Sequence, residues 1–327
     1  EYIVSLKKVI GVGGQRKVKL WYNLSRGEFY AKKFIPKGLE TVLLNHVINS
    51  KNPGLPKVVH SSQKENGSDI FQPYFDKDLS KAIPSLFLSE GQSLSVRQSK
   101  LYVIRQVFSA IRDFQDDVLK GLVHTETQNP IPPTPVFHGD IKPANFVINE
   151  KTLEVMLIDL GCSCAVASIS GTLFYFDPES AKLSLPSEIE AFYFNIPSLN
   201  KFAGAPSLTN NQEKCIAHNI SRGQARDVWG AALVAASVLF GLRDGIPNIG
   251  PLQNCRHVTR SIFDLPSLTD EQRVLQNIAN LSQEAIDDSL DKLKDPLVPL
   301  LKKMLKVKAK ERINMKDACQ ELEVLCQ

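Results

Sequence analysis

Residues 138–161 constrain this 327-residue chain more than any other segment. Polar residues stand there, among them Asp140, Asn145 and Asp159. Short apolar runs flank them, at residues 135–137, 146–148 and 155–158. Short apolar runs predict buried strands, and polar side chains that follow such strands lie at the mouth of a sheet, where a ligand can reach them. Carboxylate and amide oxygens suit Mg²⁺ that also holds phosphates. Because Lys142 follows Asp140 by two residues, the spacing also suits phosphoryl transfer.

Two motifs in this segment resemble the catalytic loop and the metal-binding loop of the eukaryotic protein kinase family. The family pattern H-R-D-x-K-x-x-N stands here as residues 138–145, and D-F-G stands as residues 159–161. The lysine in the first motif resembles the serine/threonine form of the loop. The resemblance implies two catalytic residues, Asp140 and Lys142, and two residues that bind Mg²⁺ and ATP, Asn145 and Asp159.

The first 35 residues predict an antiparallel sheet, and the resemblance places a nucleotide on it. The glycine turn at residues 11–14 resembles the kinase Gly-rich loop, although Arg16 stands at the position of its third glycine. Residues 30–33 resemble the family's V-A-x-K strand. Alternation and turn residues predict three strands, at residues 2–10, 18–22 and 28–34. The residues implied to bind ATP are Gly11, Val12, Gly13, Gly14, Val18, Ala31 and Lys33.

Glu40 is the predicted partner of Lys33. An active kinase pairs its strand lysine with a helix glutamate, and Glu40 is the only acid between Lys33 and Gln63. It opens an amphipathic stretch at residues 40–48, which predicts a helix. The linker before it is shorter than is usual in the family, which predicts a truncated helix. Glu40 is therefore counted with the ATP-binding residues.

The last strands of the small lobe are predicted at residues 55–60 and 69–74. By resemblance, Gln72 or Phe71 lines the back of the nucleotide site. Residues 73–75 then form the hinge whose backbone meets adenine, with Tyr74 at its centre. Gln72 and Tyr74 complete the set of residues expected to contact ATP.

The resemblance covers nearly the whole chain and implies an α+β, two-lobed protein kinase fold. Its small lobe is β-rich with one helix, and its large lobe is mainly helical. Helices are predicted at residues 95–119 and 228–241. Residues 180–222 lack periodicity, which predicts either a tolerated surface loop or a docking surface for a partner. The boundaries are 1–75 for the small lobe and 76–327 for the large lobe, with insertions at 124–135 and 180–222.

Residues 171–179 resemble the end of a kinase activation segment, G-T-x-x-Y-x-x-P-E, with the minor departure that Asp177 stands where the family usually has alanine. In the family its glutamate pairs with an arginine near the C-terminus, so Glu179 is predicted to pair with Arg312. Such a buried pair is costly to break from one side. Asp227 is predicted to cap the helix that follows it and to hold the backbone of the catalytic loop.

Gly139 replaces the arginine that precedes the catalytic aspartate in the family pattern. That arginine normally receives an activation-loop phosphate. The hypothesis is that the active geometry does not need this phosphorylation. The hydroxyl groups concerned are those of Ser168, Ser170 and Thr172.

Composition narrows the classes of partner. The chain carries 39 basic and 35 acidic residues, and a net charge of +4 is too balanced to indicate a nucleic-acid partner. No apolar run reaches the roughly 18 residues of a membrane span. Six cysteines without a second metal-binding pair argue against zinc and leave disulfides open. The chain begins with Glu1 rather than Met, so we expect that N-terminal targeting information has been removed.

The function implied by the resemblance is transfer of the γ-phosphate of Mg-ATP to a serine or threonine hydroxyl of a protein. A pseudokinase that binds nucleotide or scaffolds partners is the alternative, favoured by Arg16 and the short linker before Glu40. A small-molecule kinase of similar fold is a third possibility, which the end of the activation segment disfavours. The sequence HGDIKPANF, at residues 138–146, also resembles the corresponding sequence of the secreted rhoptry kinases of apicomplexan parasites. This resemblance implies export of the protein and the presence of disulfides.

Overall fold

The structure is a computed structural model whose N-terminal part is an antiparallel sheet. It describes residues 2–13, 16–36, 40, 44, 52–87, 94–116, 136–163, 172–185, 210–243, 246–256 and 269–326. The strands are β1 (Ile3–Gly13), β2 (Arg16–Asn23), β3 (Glu28–Pro36), β4 (His60–Lys64) and β5 (Gly67–Pro73). They pair in the order β1-β2-β3-β5-β4, so β3 is the central strand.

Three of the predicted strands differ from the observed ones by one or two residues at an end, and the other two differ more. β1 continues to Gly13, which pairs with the first residue of β2, so most of the predicted glycine turn belongs to a strand. The strand predicted at residues 55–60 is wrong except for its last residue, His60. Leu55 is instead buried between the sheet and the helical part, and Pro56 has no N–H to donate to a strand ladder.

The C-terminal part of the chain is mainly helical. The helices are α1 (Leu79–Phe87), α2 (Leu94–Asp116), α3 (Pro178–Leu183), α4 (Asn210–Phe240), α5 (Gly250–Arg256), α6 (Asp270–Ala279), α7 (Gln283–Asp291), α8 (Val298–Met304) and α9 (Met315–Leu325). The predicted α+β, two-lobed fold is therefore confirmed. The boundary placed after residue 75 stays a prediction.

Two small sheets accompany these helices. The strands β6 (Lys77–Asp78), β7 (Phe146–Ile148) and β8 (Val155–Leu157) form an antiparallel sheet with β7 in its centre. The strands β9 (Leu242–Arg243) and β10 (Ile246–Pro247) form a hairpin after α4. The predicted strand at residues 146–148 is confirmed, and the one at 155–158 is confirmed except for its last residue.

Helix α4 begins much earlier than predicted and is 31 residues long. The prediction that residues 180–222 lack regular structure is wrong at both ends, because α3 and the first part of α4 lie there. Once a helix has formed, each added residue extends it at little cost, so a polar stretch such as 210–220 can be helical without an apolar face. Residues 186–209, like the insertion predicted at 124–135, lie outside the described residues.

Two apolar clusters fix the position of the lobes. The larger one lies in the helical part and includes the middles of α2 and α4, where Phe108 and Trp229 are completely buried. The other lies between the lobes and joins β3 and β5 to the segment after β8. Its members are Ile35, Leu44, Leu55, Ile70, Phe114, Val136 and Leu160. Ile35 and Ile70 thereby hold the sheet on the helical lobe.

Two further properties bear on the sequence predictions. Across the residues that the structure describes, no helix is both long and apolar enough to span a bilayer. No disulfide joins the cysteines whose side chains the structure describes, which are Cys162, Cys255, Cys319 and Cys326. Burial raises the pKa of Cys255 and that of Cys319 to about 11, which keeps both as thiols at neutral pH. The side chains of Cys164 and Cys215 lie outside the described residues.

Candidate active site

Lys33 lies at the centre of the cleft between the lobes, where it contacts two carboxylates. Its ammonium group is 2.9 Å from Oε1 of Glu40 and 2.7 Å from Oδ1 of Asp159. The predicted pairing of Lys33 with Glu40 is therefore confirmed. Burial lowers the pKa of Lys33, but the charges of Asp159 and Glu40 outweigh burial and raise it above its usual value. The lysine is thus held as a cation in the cleft.

Asp159 has a left-handed backbone, with φ of 64° and ψ of 77°, which is uncommon outside glycine. This conformation turns the chain from β8 into a short 3₁₀ helix at Leu160–Cys162 and buries Leu160 between the lobes. Burial raises the pKa of Asp159, but the charge and the hydrogen bond of Lys33, together with the charge of His138, outweigh burial and lower the pKa. Strained backbone of this kind is typical of functional sites.

The catalytic-loop residues converge on the carboxylate of Asp140. Lys142 donates to its Oδ2 over 2.7 Å, and the backbone N–H of Thr172 donates to its Oδ1 over 2.7 Å. The Lys142 ammonium also contacts the Thr172 hydroxyl. Burial raises the pKa of Asp140, but the bonds from Lys142 and Thr172 outweigh it and lower the pKa. Asp140 is therefore an ionised acceptor at neutral pH.

Asn145 is oriented by the same loop. Its side-chain N–H groups donate to the backbone oxygen of Asp140 over 2.7 Å and to Oδ2 of Asp140 over 3.0 Å. Both amide hydrogens are then used, which leaves the carbonyl oxygen of Asn145 as the atom available to a cation. In the described part of the chain, no group of three His, Cys, Asp or Glu side chains forms a metal site. Asn145 and Asp159 suit Mg²⁺ that also takes phosphate oxygens as ligands.

Asp227 holds the backbone of the catalytic loop from inside α4. Its carboxylate accepts the N–H of His138 over 2.7 Å and the N–H of Gly139 over 2.9 Å. That part of the prediction is confirmed. The prediction that Asp227 caps a helix is wrong, because α4 begins at Asn210 and Asp227 lies in its interior. Gly230, one turn further on, allows the helix to approach Ile141 closely, since a Cβ there would lie 2.7 Å from Ile141 Cβ.

The predicted pair of Glu179 and Arg312 is not formed. Arg312 instead contacts Asp177, with 2.5 Å between Nη1 and Oδ2, and Glu179 pairs with Arg222 over 3.2 Å. Asp177 also accepts the N–H of Ser180 and so caps α3. Because an acid replaces the family's alanine two residues before Glu179, the shorter and more buried carboxylate takes the arginine.

The sheet places most of the predicted nucleotide-binding residues on one face. Directly opposed residues of antiparallel strands share a face. Ala31 opposes Gln72 and Lys33 opposes Ile70, so Gln72 faces the cleft with Lys33. Phe71 opposes Lys32 and lies on the outer face, where the Lys32 ammonium is 5.8 Å from its ring centre. Of the two alternatives, Gln72 is thus the one on the cleft side.

The Gly-rich hairpin reaches the same face through Val18. Gly11 opposes Val18, and Leu20, two residues further along β2, opposes Ala31. Val18 and Ala31 therefore share the face that carries Lys33. Val12 and Gly13 belong to β1 and pair with β2. Gly14 lies outside the described residues, as do Ser168 and Ser170.

The predicted hinge, at residues 73–75, has few backbone N–H groups to offer a ligand. The N–H of Tyr74 donates to the Phe29 oxygen over 3.2 Å, so the sheet uses it. Pro73 has no N–H. In the part of the chain that the structure describes, the N–H of Phe75 has no acceptor. Within the predicted hinge, the backbone N–H of Phe75 is therefore the one left for a ligand.

Comparison with known proteins agrees with this geometry. No family model matches the chain. A 90-residue segment is 34% identical to a protein described as a putative leucine-rich repeat receptor-like protein kinase of Arabidopsis thaliana; it spans 24% of this chain and 10% of that protein. The structure resembles a crystal structure of Rad53 in complex with AMP-PNP, with a TM-score of 0.57 and 15% identity, over 97% of this chain and 64% of that chain. The chain has the protein kinase fold.

Three residues of this kinase fold have roles that the sequence alone does not predict. Thr172 is identified from sequence only as a phosphorylation site, yet its N–H and hydroxyl contact Asp140 and Lys142. Asp177 is a minor departure from the family pattern, yet it carries the buried ion pair. Arg226 is buried and stacks on the ring of Phe176. For the aspartate and the arginine, the only available signal is a charge in an otherwise apolar context.

Proposed function

We propose that this protein transfers the γ-phosphate of Mg-ATP to a serine or threonine hydroxyl of a protein substrate. The observation that carries the proposal is the contact of Lys33 with both Glu40 and Asp159. Through these two contacts, Lys33 connects its own strand to a helical residue and to the metal-binding loop. Such an arrangement has to be in place for phosphoryl transfer by a protein kinase.

The proposed division of roles follows from the contacts of each group. Asp140, ionised and held by Lys142 and the Thr172 N–H, orients the attacking hydroxyl and accepts its proton. Lys142 lies beside it and neutralises charge on the phosphoryl group in transit. Lys33 pairs with the α- and β-phosphates, and Glu40 orients Lys33. Fixed charges that match the transition state account for most of the catalysis in such reactions.

Mg²⁺ fits the two ligands that the loops present. Asp159 offers a carboxylate, and Asn145 offers the one amide oxygen that its hydrogen bonds leave unused. Held by these two residues, Mg²⁺ would supply positive charge that offsets the negative charge of the phosphate groups. The chain's own contribution is to hold the amide ligand against Asp140 and the carboxylate ligand against Lys33.

The hydroxyl specificity and the independence from phosphorylation are part of the same proposal. Lys142 links Asp140 to Thr172, which favours the serine/threonine form of the site over the tyrosine form. The Thr172 hydroxyl is occupied by Lys142, so it is not presented as a phosphate acceptor. Gly139 offers no side chain to receive a phosphate. The membership in rhoptry kinases, the secretion and the docking role of residues 180–222 remain predictions.

The test is Mg²⁺-dependent transfer of labelled γ-phosphate to a generic protein substrate. Asp140→Asn is expected to abolish transfer, because it removes the acceptor while keeping the shape of the side chain. Asp288→Asn, which changes an exposed acid on α7, is the matched control and is expected to keep full transfer. Transfer that persists in Asp140→Asn would overturn the proposed role.

The pseudokinase is the second candidate, favoured by Arg16 in the Gly-rich hairpin. A nucleotide that binds only the folded state raises the melting temperature. If Mg-ATP raises it in the wild type but no protein substrate is phosphorylated, binding without chemistry is the better description. If transfer occurs to a small hydroxyl compound and not to protein, the small-molecule kinase is favoured.

A further inference from the structure

Gly139 leaves the catalytic loop without a cation of its own before Asp140. The backbone at Gly139 has φ of +78°, and a Cβ there would lie 2.8 Å from the carbonyl oxygen of Cys162. A side chain at this position is therefore disfavoured by both backbone strain and close contact. Within the loop, Lys142 contacts Thr172 at the start of the described activation segment, so a cation that holds the other end of that segment has to come from another element.

Arg226 brings such a cation from α4. The residue is only 6% exposed, and its guanidinium carbon lies 4.3 Å from the ring centre of Phe176. Stacking of this kind is favourable, and more so when the cation is shielded from water. Phe176 belongs to the end of the activation segment and is itself buried. The contact thus joins α4 to that segment directly.

Several acids surround the Arg226 guanidinium. Burial lowers the pKa of Arg226, and the charges of neighbouring groups raise it. These groups are Asp177, Asp227, Asp140 and Cys162. They come from the activation segment, from α4, from the catalytic loop and from the metal-binding loop. Arg226 therefore lies where four functional segments meet.

Each carboxylate near Arg226 has a cation of this chain beside it. Asp140 pairs with Lys142 over 2.7 Å, and Asp177 pairs with Arg312 over 2.5 Å. Asp227 accepts two backbone N–H groups and has Arg226 as its neighbour in the chain. The three carboxylates are Asp140, Asp177 and Asp227, and the three cations are Lys142, Arg226 and Arg312. A phosphate on the activation segment is thus not needed to neutralise an excess of cations.

We propose that Arg226 is a positioning residue that holds the end of the activation segment against the catalytic loop, in place of the arginine absent at Gly139. It acts through Phe176 and through the carboxylates around it, and it does not touch the reacting atoms. The inference rests on the proposed kinase activity and names what keeps that site assembled without phosphorylation. Because Thr172 and Phe176 flank the same short 3₁₀ helix, displacement of Phe176 also displaces the Thr172 N–H from Asp140.

The first experiment compares variants of Arg226 with a control on the same helix. Arg226→Ala is expected to lower kcat for a protein substrate by about 10- to 100-fold, as for a displacement near 1 Å in a catalytic group. The KM for ATP is expected to stay within about twofold, because Lys33 and Asp159 are untouched, and Arg226→Lys is expected to recover part of the loss. Arg222→Ala, which removes a more exposed ion pair with Glu179, is expected to change kcat by less than about twofold.

The second experiment separates charge from packing by chemical rescue. Guanidinium and urea have nearly the same planar shape, but only guanidinium is charged. At low millimolar concentration, guanidinium is expected to restore transfer by Arg226→Ala, whereas urea is not. Equal rescue by both compounds, or an Arg226→Ala protein with wild-type kcat and no phosphate on residues 168–172, would overturn the proposal.

A third measurement keeps the inference testable if the wild type transfers no phosphate. Amide exchange of residues 172–177 reports directly how firmly the segment is held. Arg226→Ala is expected to speed exchange there, and guanidinium, but not urea, is expected to slow it again. If the wild type binds Mg-ATP without transfer and shows this exchange pattern, the proposed function fails while the role of Arg226 stands. Exchange that is unchanged in Arg226→Ala would refute that role.

Discussion

Arg312 pairs with Asp177 rather than with Glu179, and this difference leads to a quantitative prediction of the free energy of unfolding. Asp177 and Arg312 are 2% and 0% exposed, whereas Glu179 and Arg222 are 34% and 28% exposed. Removing one partner of a buried pair leaves an uncompensated charge and costs about 3–5 kcal/mol. An exposed pair contributes only about 0–1 kcal/mol. Asp177→Asn is therefore expected to cost about 3 kcal/mol more than Glu179→Gln.

The two substitutions are matched, because each removes a charge and keeps the size of its side chain. After either change, the remaining amide oxygen can still accept the backbone N–H that the carboxylate accepts now, from Ser180 at position 177 and from Ala309 at position 179. Urea denaturation monitored by tryptophan fluorescence measures the free energy of unfolding of both variants. A loss in Glu179→Gln that equals or exceeds the loss in Asp177→Asn would show that the buried pair does not anchor the segment.

Three further perturbations have defined outcomes. Lys33→Met is expected to abolish the rise in melting temperature caused by Mg-ATP. If the melting temperature of this variant rises as much as that of the wild type, Lys33 does not contact phosphate. Gly139→Ala is expected to lower the free energy of unfolding by about 1–3 kcal/mol in urea, and an unchanged value would contradict the strain at φ of +78°. Burial lowers the pKa of Lys100, whose ammonium donates to the Leu239 oxygen. As pH rises towards the ordinary lysine pKa, the folded state then binds fewer protons than the unfolded state, so the wild type is expected to gain free energy of unfolding relative to Lys100→Met. A difference between their free energies of unfolding in urea that stays constant with pH would contradict this.

The parts of the site predicted from sequence are those whose residues are close together in the chain. Asp140, Lys142 and Asn145 lie within six residues, and a tight loop brings them together whatever surrounds it. The pairing of Lys33 with Glu40 is correct because a strand followed by a helix offers few other acids. In both cases, the spacing of residues along the chain is sufficient to predict the contact.

The parts that the sequence does not predict depend on packing between distant segments. Asp177 and Glu179 are acids two residues apart, and only the extent to which each side chain is buried decides which one pairs with Arg312. Asp227 stands just before an apolar run, which is also where a helix cap would stand, so its interior position cannot be seen in the sequence. Helix α4 begins in a polar stretch without an apolar face, and at residues 55–60 burial of Leu55 between the lobes replaces the predicted strand.

The length of α4 restricts how the gene for this protein can change. Along this one helix, the Ala225 oxygen accepts from Arg312, Asp227 accepts from the catalytic loop, and the Leu239 oxygen accepts from Lys100. Insertion of one residue into a helix rotates everything after it by about 100° and advances it by about 1.5 Å. An insertion or deletion between Ala225 and Leu239 would therefore break either the contact of Leu239 with Lys100 or the contacts made near Ala225, because the two groups of contacts could not be kept together. Evolutionary changes in length are expected outside this interval, and the interval itself should vary by substitution alone.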